Sequence, residues 1–486
     1  MIFKNCVLIV LLSSIFLPFV GSTNFILGSE EVVQLLQPKS QGFNVFTPHN
    51  SIFIDGNSDF STQAEREGWS GVGTATDPYI IESYIIQPNR SYSGIKIINT
   101  NLHFIIRNCL ITNISSGQGI EFEDIHFGLV MENQIESPSL SSNGRYGILQ
   151  RGCNDTRIIK NKVNNFRAGI TILESHNITV AGNIVENSSH GLEISWGLHV
   201  RGPTTNVYVW NNTVRNCNTG FFITSGENIT VFQNRVYNVT HSDEFSSGFI
   251  VVGSDNNVTN NIVEGGTAYG MYSWESYNSS FVNNSIRSVS SGIIFESWGS
   301  AGTVFNNNQF LNNSITQCSD GILLNSSDNT IIEGNLLSGN TRDGLMITGN
   351  QNTIINNSFI ENGRYGLNIG GEDLLVHHNQ FKSNGQQVYI IDGVIVWTNG
   401  THGNYWSDYS GIDFGGDGVG DNPYVIQDKV IDPHPLVQTT STSKAETTTS
   451  APTTSSKTST TPSFTLTPFL VVFGLVFVFS RRHLRN

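Results

Sequence analysis

A glycine followed by alternating apolar residues returns along most of the chain, and no other feature restricts the fold as strongly. It recurs at Gly94, Gly119, Gly147, Gly169, Gly191, Gly220, Gly248, Gly270, Gly292, Gly321, Gly344 and Gly366. The shortest and commonest interval is 22 residues, and longer ones cluster near 28. In each unit the first and third residues after the glycine are mostly apolar, as in Ile170/Ile172, Phe221/Ile223 and Leu367/Ile369. Apolar side chains at period two mark a strand with one buried face. A unit this short cannot close a core alone, so neighbouring units must stack, each supplying one rung.

A second column reinforces the first. Asparagine followed two residues later by an apolar side chain occurs at Asn108, Asn133, Asn161, Asn183, Asn212, Asn234, Asn261, Asn284, Asn308, Asn335, Asn357 and Asn379. Asparagine tolerates the left-handed backbone of a tight corner, and its amide can stack on the same amide one coil away. The expected fold is all-β: a right-handed parallel β-helix, a single-stranded solenoid of about 12 coils, capped at both ends. At about 4.8 Å per rung such a stack is roughly 55–60 Å long. The longer intervals predict loops bulging at 137–145, 197–204, 240–247 and 312–319. A leucine-rich consensus is missing, a propeller would repeat at about 40 residues or more, and helical periodicity nowhere exceeds a few residues.

The two ends have a different composition. Lys4 precedes an apolar run from Cys6 to Val20, and Gly21 and Ser22 supply small residues, which predicts a signal peptide over 1–22 cut near Thr23. A cap with the first strands is expected over 23–92, coils over 93–390 and a second cap over 391–437. Residues 438–463 are almost all Ser, Thr, Pro, Ala and Lys, a stalk that cannot bury a core. An apolar segment over 464–480 is read as one transmembrane helix, with the basic tail 481–486 on the cytoplasmic side. A sorting signal removed during maturation is the competing reading of this end. Either way the folded part is expected outside the cell, at its surface.

Charged residues make up only 13% of the chain and the net charge is −14, which disfavours nucleic acid as a partner because phosphates demand clustered Lys and Arg. Beyond Cys6, the cysteines Cys109, Cys153, Cys217 and Cys318 are widely spaced, and buried thiols are expected rather than disulfides.

Several segments together resemble the NosD-like family of right-handed β-helix proteins, with the CASH repeat and a pectin-lyase-like fold. They are Trp69–Thr74 with Asp77–Glu82, the Asn-x-apolar coils, Gly403–Tyr409, Asp417–Tyr424 and Asp432–Leu436. The resemblance covers about Ser51 to Leu436. It implies an envelope protein that handles polysaccharide and, for NosD itself, periplasmic support of copper-site assembly.

Outward positions on the Gly-led strands are where such a stack presents a ligand surface. Tyr272, Trp274 and Glu275 follow Gly270, Glu296 and Trp298 follow Gly292, and Glu193 and Trp196 follow Gly191. Aromatic faces stack on sugar rings and carboxylates accept hydroxyl hydrogen bonds, so these seven are the candidate carbohydrate contacts, set against aromatics merely packed under loops. Glu275 and Glu296, one coil apart, could instead form a glycosidase pair. Arg145/Arg167 and Arg342/Arg364 form adjacent-coil pairs that a lyase could use, but no Asp cluster is read beside them. No cofactor is required, although Asp413, Asp417 and Asp421 are spaced like calcium ligands in a Gly-rich turn. For copper, His377-His378 is the one close pair, and on a strand the two should face opposite ways. Sequons such as Asn113, Asn154, Asn211, Asn238, Asn278 and Asn399 predict a glycoprotein.

The leading expectation is a non-catalytic, membrane-anchored surface protein that binds polysaccharide or glycoprotein glycans. A polysaccharide lyase or glycoside hydrolase, a structural envelope protein or adhesin, and a copper-handling factor are the alternatives.

Overall fold

In a computed structural model, residues 45–88, 93–139, 145–195, 204–224, 226–240, 246–296 and 305–437 are described. The expected signal peptide, stalk, C-terminal apolar segment and basic tail lie outside these residues. Among the described residues no helix is long and apolar enough to cross a membrane.

Each coil contributes three short strands, and each pairs in parallel with its counterpart one coil on. The Gly-led wall runs from Ile52–Asp55 through Ile95–Thr100 and Ile120–Ile125 to Gln386–Val396. A second wall begins with Tyr79–Glu82, Phe104–Arg107 and Gly128–Met131. These two walls join into one 26-stranded sheet, because the strand Tyr365–His377 pairs in both. The third wall is a 15-stranded sheet from Thr47–His49 to Tyr405–Trp406. Coil hydrogen bonding therefore extends beyond the Gly repeat at both ends.

Like side chains fall into columns. Ile148, Ile170, Leu192, Phe221, Phe249, Met271, Ile293, Ile322, Leu345, Leu367 and Val388 are successive register partners in the Gly-led wall, and all point into the core. Aromatic rings continue the stacking, with Phe359–Phe381 centroids 4.9 Å apart and Phe381–Trp406 4.5 Å apart. The glycines have a steric reason. A Cβ on Gly147 would stand 2.2 Å from Val163 Cγ1 on the third wall and 2.5 Å from the Gly169 carbonyl of the next coil.

At the corner between the second and third walls runs a buried asparagine ladder: Asn133, Asn161, Asn183, Asn212, Asn234, Asn261, Asn284, Asn313, Asn335, Asn357, Asn379 and Asn404. Each Nδ2 donates to the Oδ1 of the next asparagine at 2.9–3.1 Å. Two parts of the sequence expectation change here. The left-handed backbone belongs to the residue before the ladder position, for example Asn211 (φ 53°) and Asn260 (φ 56°), and Asn108 (φ 50°) is of this kind. The ladder also passes through Asn313, not Asn308, which accepts from Ser279 N at a different corner. With that shift, 312–319 is no loop: Ser314–Thr316 is a strand and the extra residues of that coil fall between Phe295 and Phe305.

Cys109, Cys153, Cys217 and Cys318 are buried, unpaired thiols at corner positions, as expected. Each Sγ donates to the carbonyl two residues back at 3.3–3.4 Å. A helix that the sequence periodicity does not reveal, α1 (Gly56–Glu67), covers the first coil. Its apolar stripe is only Phe60 and Ala64, too thin to read as periodic. Phe60 stacks on Tyr79 at 5.0 Å and meets Phe104 at 5.4 Å, closing the N-terminal end of the core.

Candidate functional site

Two residues after each glycine of the Gly-led wall, a side chain points away from the core. Register joins Lys96, Glu121, Leu149, Thr171, Glu193, Phe222, Ile250, Tyr272, Ile294, Leu323, Met346, Asn368 and Tyr389 into one outer column. Its chemistry changes along the stack: charged at first, apolar in the middle, polar and aromatic at the C-terminal end.

The middle stretch is not an open surface. Ile250, Val252, Tyr272 and Ile294 form a second apolar cluster outside the main core, with Phe222, Tyr269, Trp274 and Leu323 packed against it. Tyr272 is only 3% exposed. Its ring lies 6.0 Å from Trp274, which is half-buried and 6.5 Å from Phe222. Glu275 is exposed, and Glu296 is half-buried with its N–H on the Ser273 carbonyl at 3.1 Å. Glu193 belongs to the same column but three rungs from Tyr272, about 14 Å. It is nearly buried, 3.7 Å from both Arg167 Nη1 and His190 Nδ1. Trp196 and Trp298 lie outside the described residues. Of the seven candidate contacts, the fold thus brings Tyr272, Trp274, Glu275 and Glu296 onto neighbouring coils, with Tyr272 under cover.

A polar site that sequence reasoning missed lies further along the same wall. Asp320, Asp343, Tyr365 and Gln386 are one column, each directly before the Gly position of its coil. Arg364 places Nε 2.6 Å from Asp343 Oδ1 while Nη2 bonds Oδ2, and Asn368 Nδ2 donates to the same Oδ2 at 3.1 Å. Asp343 is fully buried, so this forked pairing compensates its desolvation. Arg342 reaches Asp320 at 3.4 Å and keeps over half of its own side chain exposed. Burial raises the Asp320 carboxyl above its usual range, while Arg342 pulls the other way. The absence of an Asp cluster beside Arg342 and Arg364 is therefore corrected: each arginine holds an aspartate 21 or 22 residues upstream, one coil away. Coil spacing was the signal that could have found it.

Beside these pairs, the Arg364 guanidinium sits 5.0 Å from the Tyr365 ring centre, and Tyr365 stacks on Tyr389 at 4.9 Å with 15° between planes. Tyr389 is 40% exposed. The strip continues into a polar recess lined by Gln386, Gln387, Asp408 and Tyr424. There Tyr424 OH donates to Asp408, whose charge, after burial, holds the phenol well above its usual range.

The Asp413–Asp421 turn satisfies its carboxylates from its own backbone. Asp413 accepts from the N–H groups of Gly416 and Gly418 at 2.6 and 2.9 Å, Asp417 from Val419 at 3.0 Å, and Asp421 from Phe414 at 2.7 Å. Those bonds hold the Asp413 carboxyl below its usual range. Among the described residues no three His, Cys, Asp or Glu side chains converge as metal ligands.

His377 and His378 do not face opposite ways. The strand ends at His377, and His378 takes a left-handed backbone (φ 58°), which breaks the alternation. Their Nδ1 atoms stand 2.6 Å apart, and His402 stacks on His378 with centroids 5.6 Å apart.

Parallel walls, in-register columns and a corner ladder define the right-handed β-helix class, and family comparison agrees. The family described as "Right handed beta helix region" matches residues 49–197, 93–246 and 146–310, and that described as "Periplasmic copper-binding protein (NosD)" matches 238–411. The chain belongs to the NosD-like right-handed β-helix family. A relative from Stutzerimonas stutzeri, "Probable ABC transporter binding protein NosD", is 38% identical over 117 residues, 20% of this chain and 27% of that protein. The chain thus matches about a quarter of that relative's length. Among solved structures, a mutant of the periplasmic alginate epimerase AlgG shares 13% identity over 72% of this chain and 84% of its own, with TM-score 0.46. The catalytic domain of a GH87 alpha-1,3-glucanase mutant in complex with tetrasaccharides shares 12% over 74% and 64%, with TM-score 0.41.

Proposed function

We propose that this chain binds glycans outside the cell, without cleaving them, along the C-terminal half of its Gly-led wall. The observation that carries the reading is the stacked Tyr365–Tyr389 pair, with Tyr389 open to solvent and Tyr365 flanked by the Arg364 guanidinium and in register with Gln386. A sugar ring offers an apolar face that stacks on such a ring, and hydroxyls that bond to guanidinium and amide groups at its edge. The carboxylates favour binding over hydrolysis. A glycosidase pair needs two carboxyls free to exchange protons across an open cleft. Asp343 instead has both oxygens committed to Arg364, and Asp320 is buried against Arg342. Trp274 and Glu275 would extend the contact surface toward the middle of the stack.

Surface display completes the reading: a signal peptide for export, the Ser/Thr-rich stalk as a spacer and the C-terminal apolar segment as anchor. Binding of the full-length protein to a glycan array tests it, with Tyr365→Ala alongside. Selective retention of a polysaccharide class, weakened at least tenfold by Tyr365→Ala, is expected. No retention of any glycan, or release of new reducing ends from a bound one, would replace this reading with a structural or a catalytic one.

A further inference from the structure

We infer that the glycan taken by this wall is a neutral polysaccharide, one ring of which enters the recess at Gln386, Asp408 and Tyr424, and that polyuronates are turned away. The inference rests on the glycan reading above and adds the chemical class of the ligand. The recess encloses about 230 Å³. Pockets for drug-sized ligands run to ~300–1,000 Å³, so this one has room for a single sugar ring. Most of its donors are already spent within the protein. Asn384 Nδ2 gives its two N–H groups to the Phe359 carbonyl and to Gln387 Oε1, each at 2.9 Å. Gln387 Nε2 gives its two to Ser407 Oγ at 3.2 Å and Asp408 Oδ1 at 3.3 Å, and the Tyr424 hydroxyl donates to Asp408. Gln386 Nε2 donates to the Val388 carbonyl at 2.8 Å. What remains for a ligand is the rest of the exposed Asp408 carboxylate, Gln386 Oε1 and one Gln386 N–H. Sugar hydroxyls donate to the first two and accept from the third. A sugar carboxylate only accepts, and it meets Asp408 as a like charge.

The arginines along the wall do not reverse this balance. The Gln386 N–H bonds the Arg364 carbonyl and the Arg364 N–H bonds the Arg342 carbonyl, so the three residues occupy successive rungs. Arginine recognises a carboxylate through the paired N–H groups of its fork. In Arg364 the Nε–Nη2 edge of that fork is filled by Asp343, and the guanidinium lies 5.0 Å from the Tyr365 ring centre. Arg342 faces Asp320 across 3.4 Å. Each positive charge is thus balanced by an aspartate of the preceding coil. Asp408 has no such counterpart: none of the residues lining the recess is Lys or Arg, and among the described residues no cation pairs with it. The recess therefore carries the uncompensated charge of the strip, and its sign is negative.

The test presents the full-length protein with neutral polymers (β-glucan, α-mannan, galactan) and polyuronates (polygalacturonate, alginate, polyglucuronate) of matched length. At least tenfold tighter binding of one neutral polymer than of any polyuronate is expected. That binding should change less than twofold between about 50 and about 500 mM NaCl, because no ion pair with the ligand is there to be screened. Asp408→Asn keeps an oxygen for the Tyr424 hydroxyl and should narrow the preference at least threefold. Gln386→Lys, at an exposed position, should narrow it by a similar factor independently. A polyuronate held as tightly as the best neutral polymer would overturn the inference and leave the glycan reading standing. A neutral preference untouched by both variants would overturn the assignment to the recess. Retention of neither class would overturn the glycan reading and the inference together.

Discussion

Asp432 receives the last rung of the asparagine ladder: Asn404 N donates to its Oδ2 at 2.7 Å and Asn404 Nδ2 to the same oxygen at 3.3 Å. Trp406 Nε1 adds a third bond to that oxygen at 3.0 Å, and Oδ1 accepts the His434 N–H. A column that elsewhere passes each donor to the next amide thus ends on a fully buried carboxylate. Burial raises its pKa, and the converging donors oppose that.

Removing this terminus should be costly. Asp432→Ala leaves the Asn404 backbone N–H and the Trp406 indole N–H without an acceptor, while Asn404 Nδ2 keeps the Val376 and Trp397 carbonyls, and buried orphans cost about 1–3 kcal/mol each. A total loss of about 2–4 kcal/mol is expected, read as a lower urea midpoint with unchanged slope. Asn335→Ala, inside the ladder, should cost a similar amount because it strands partners in both neighbouring coils. A midpoint unchanged in both would mean that the ladder contributes no net stability.

The glycine column makes a steric prediction. At Gly292 a Cβ would meet the Gly321 carbonyl and Ile315 Cγ2, both at 2.3 Å. A backbone carbonyl held in a sheet cannot move aside as a flexible side chain can, so Gly292→Ala should destabilise by about 2–4 kcal/mol. Gly339→Ala is the contrast: its Cβ meets nothing, and only the left-handed backbone is strained. Thermal unfolding should rank Gly292→Ala clearly below Gly339→Ala.

Four buried thiols make stability depend on alkaline pH. Burial pushes Cys109 and Cys318 up to about 11, and Cys153 and Cys217 up to about 12, from the ordinary 9.0. Between pH 9 and 11 the unfolded chain has lost these protons while the folded chain retains them. The unfolded state then binds fewer protons, so stability is fully present below pH 9 and falls as pH rises. The unfolding midpoint should drop over this window. An aromatic disulfide reagent should label none of these four in the native protein at pH 8 and all four after denaturation. Fast native labelling would contradict their burial.

The Arg364–Asp343 pair predicts an asymmetry. Arg364→Ala leaves a buried carboxylate unpaired and should cost about 3 kcal/mol or more. The double variant Arg364→Ala/Asp343→Ala removes the charge as well and should recover part of that loss. Equal destabilisation by the single and double variants would show that the pair is not coupled.

The architecture was legible because the repeat is a physical necessity: a coil has to return an apolar side chain and a glycine to the same place on every turn. The ladder was half legible. Asparagine was recognised, but two adjacent columns share its roles, Asn211 turning the corner and Asn212 carrying the amide chain. Reading Asn308 for Asn313 moved one loop, because both precede an apolar residue and only pairing distinguishes them. The site was harder still. Tyr272 and Tyr389 stand in one outer column, yet one is covered and the other open, and the sequence within each coil holds no record of what lies over it. Arg342 and Arg364 were noticed, whereas their aspartates sit a full coil upstream. The histidine pair was misjudged because strand alternation was carried one residue past the strand's end.

Affinity of the full-length protein for its best array glycan, measured with Tyr389→Ala and Trp274→Ala side by side, tests the placement of the binding surface most directly. The account predicts that Tyr389→Ala weakens binding at least tenfold and Trp274→Ala by a few-fold at most. The reverse order, or no effect of Tyr389→Ala, would contradict it.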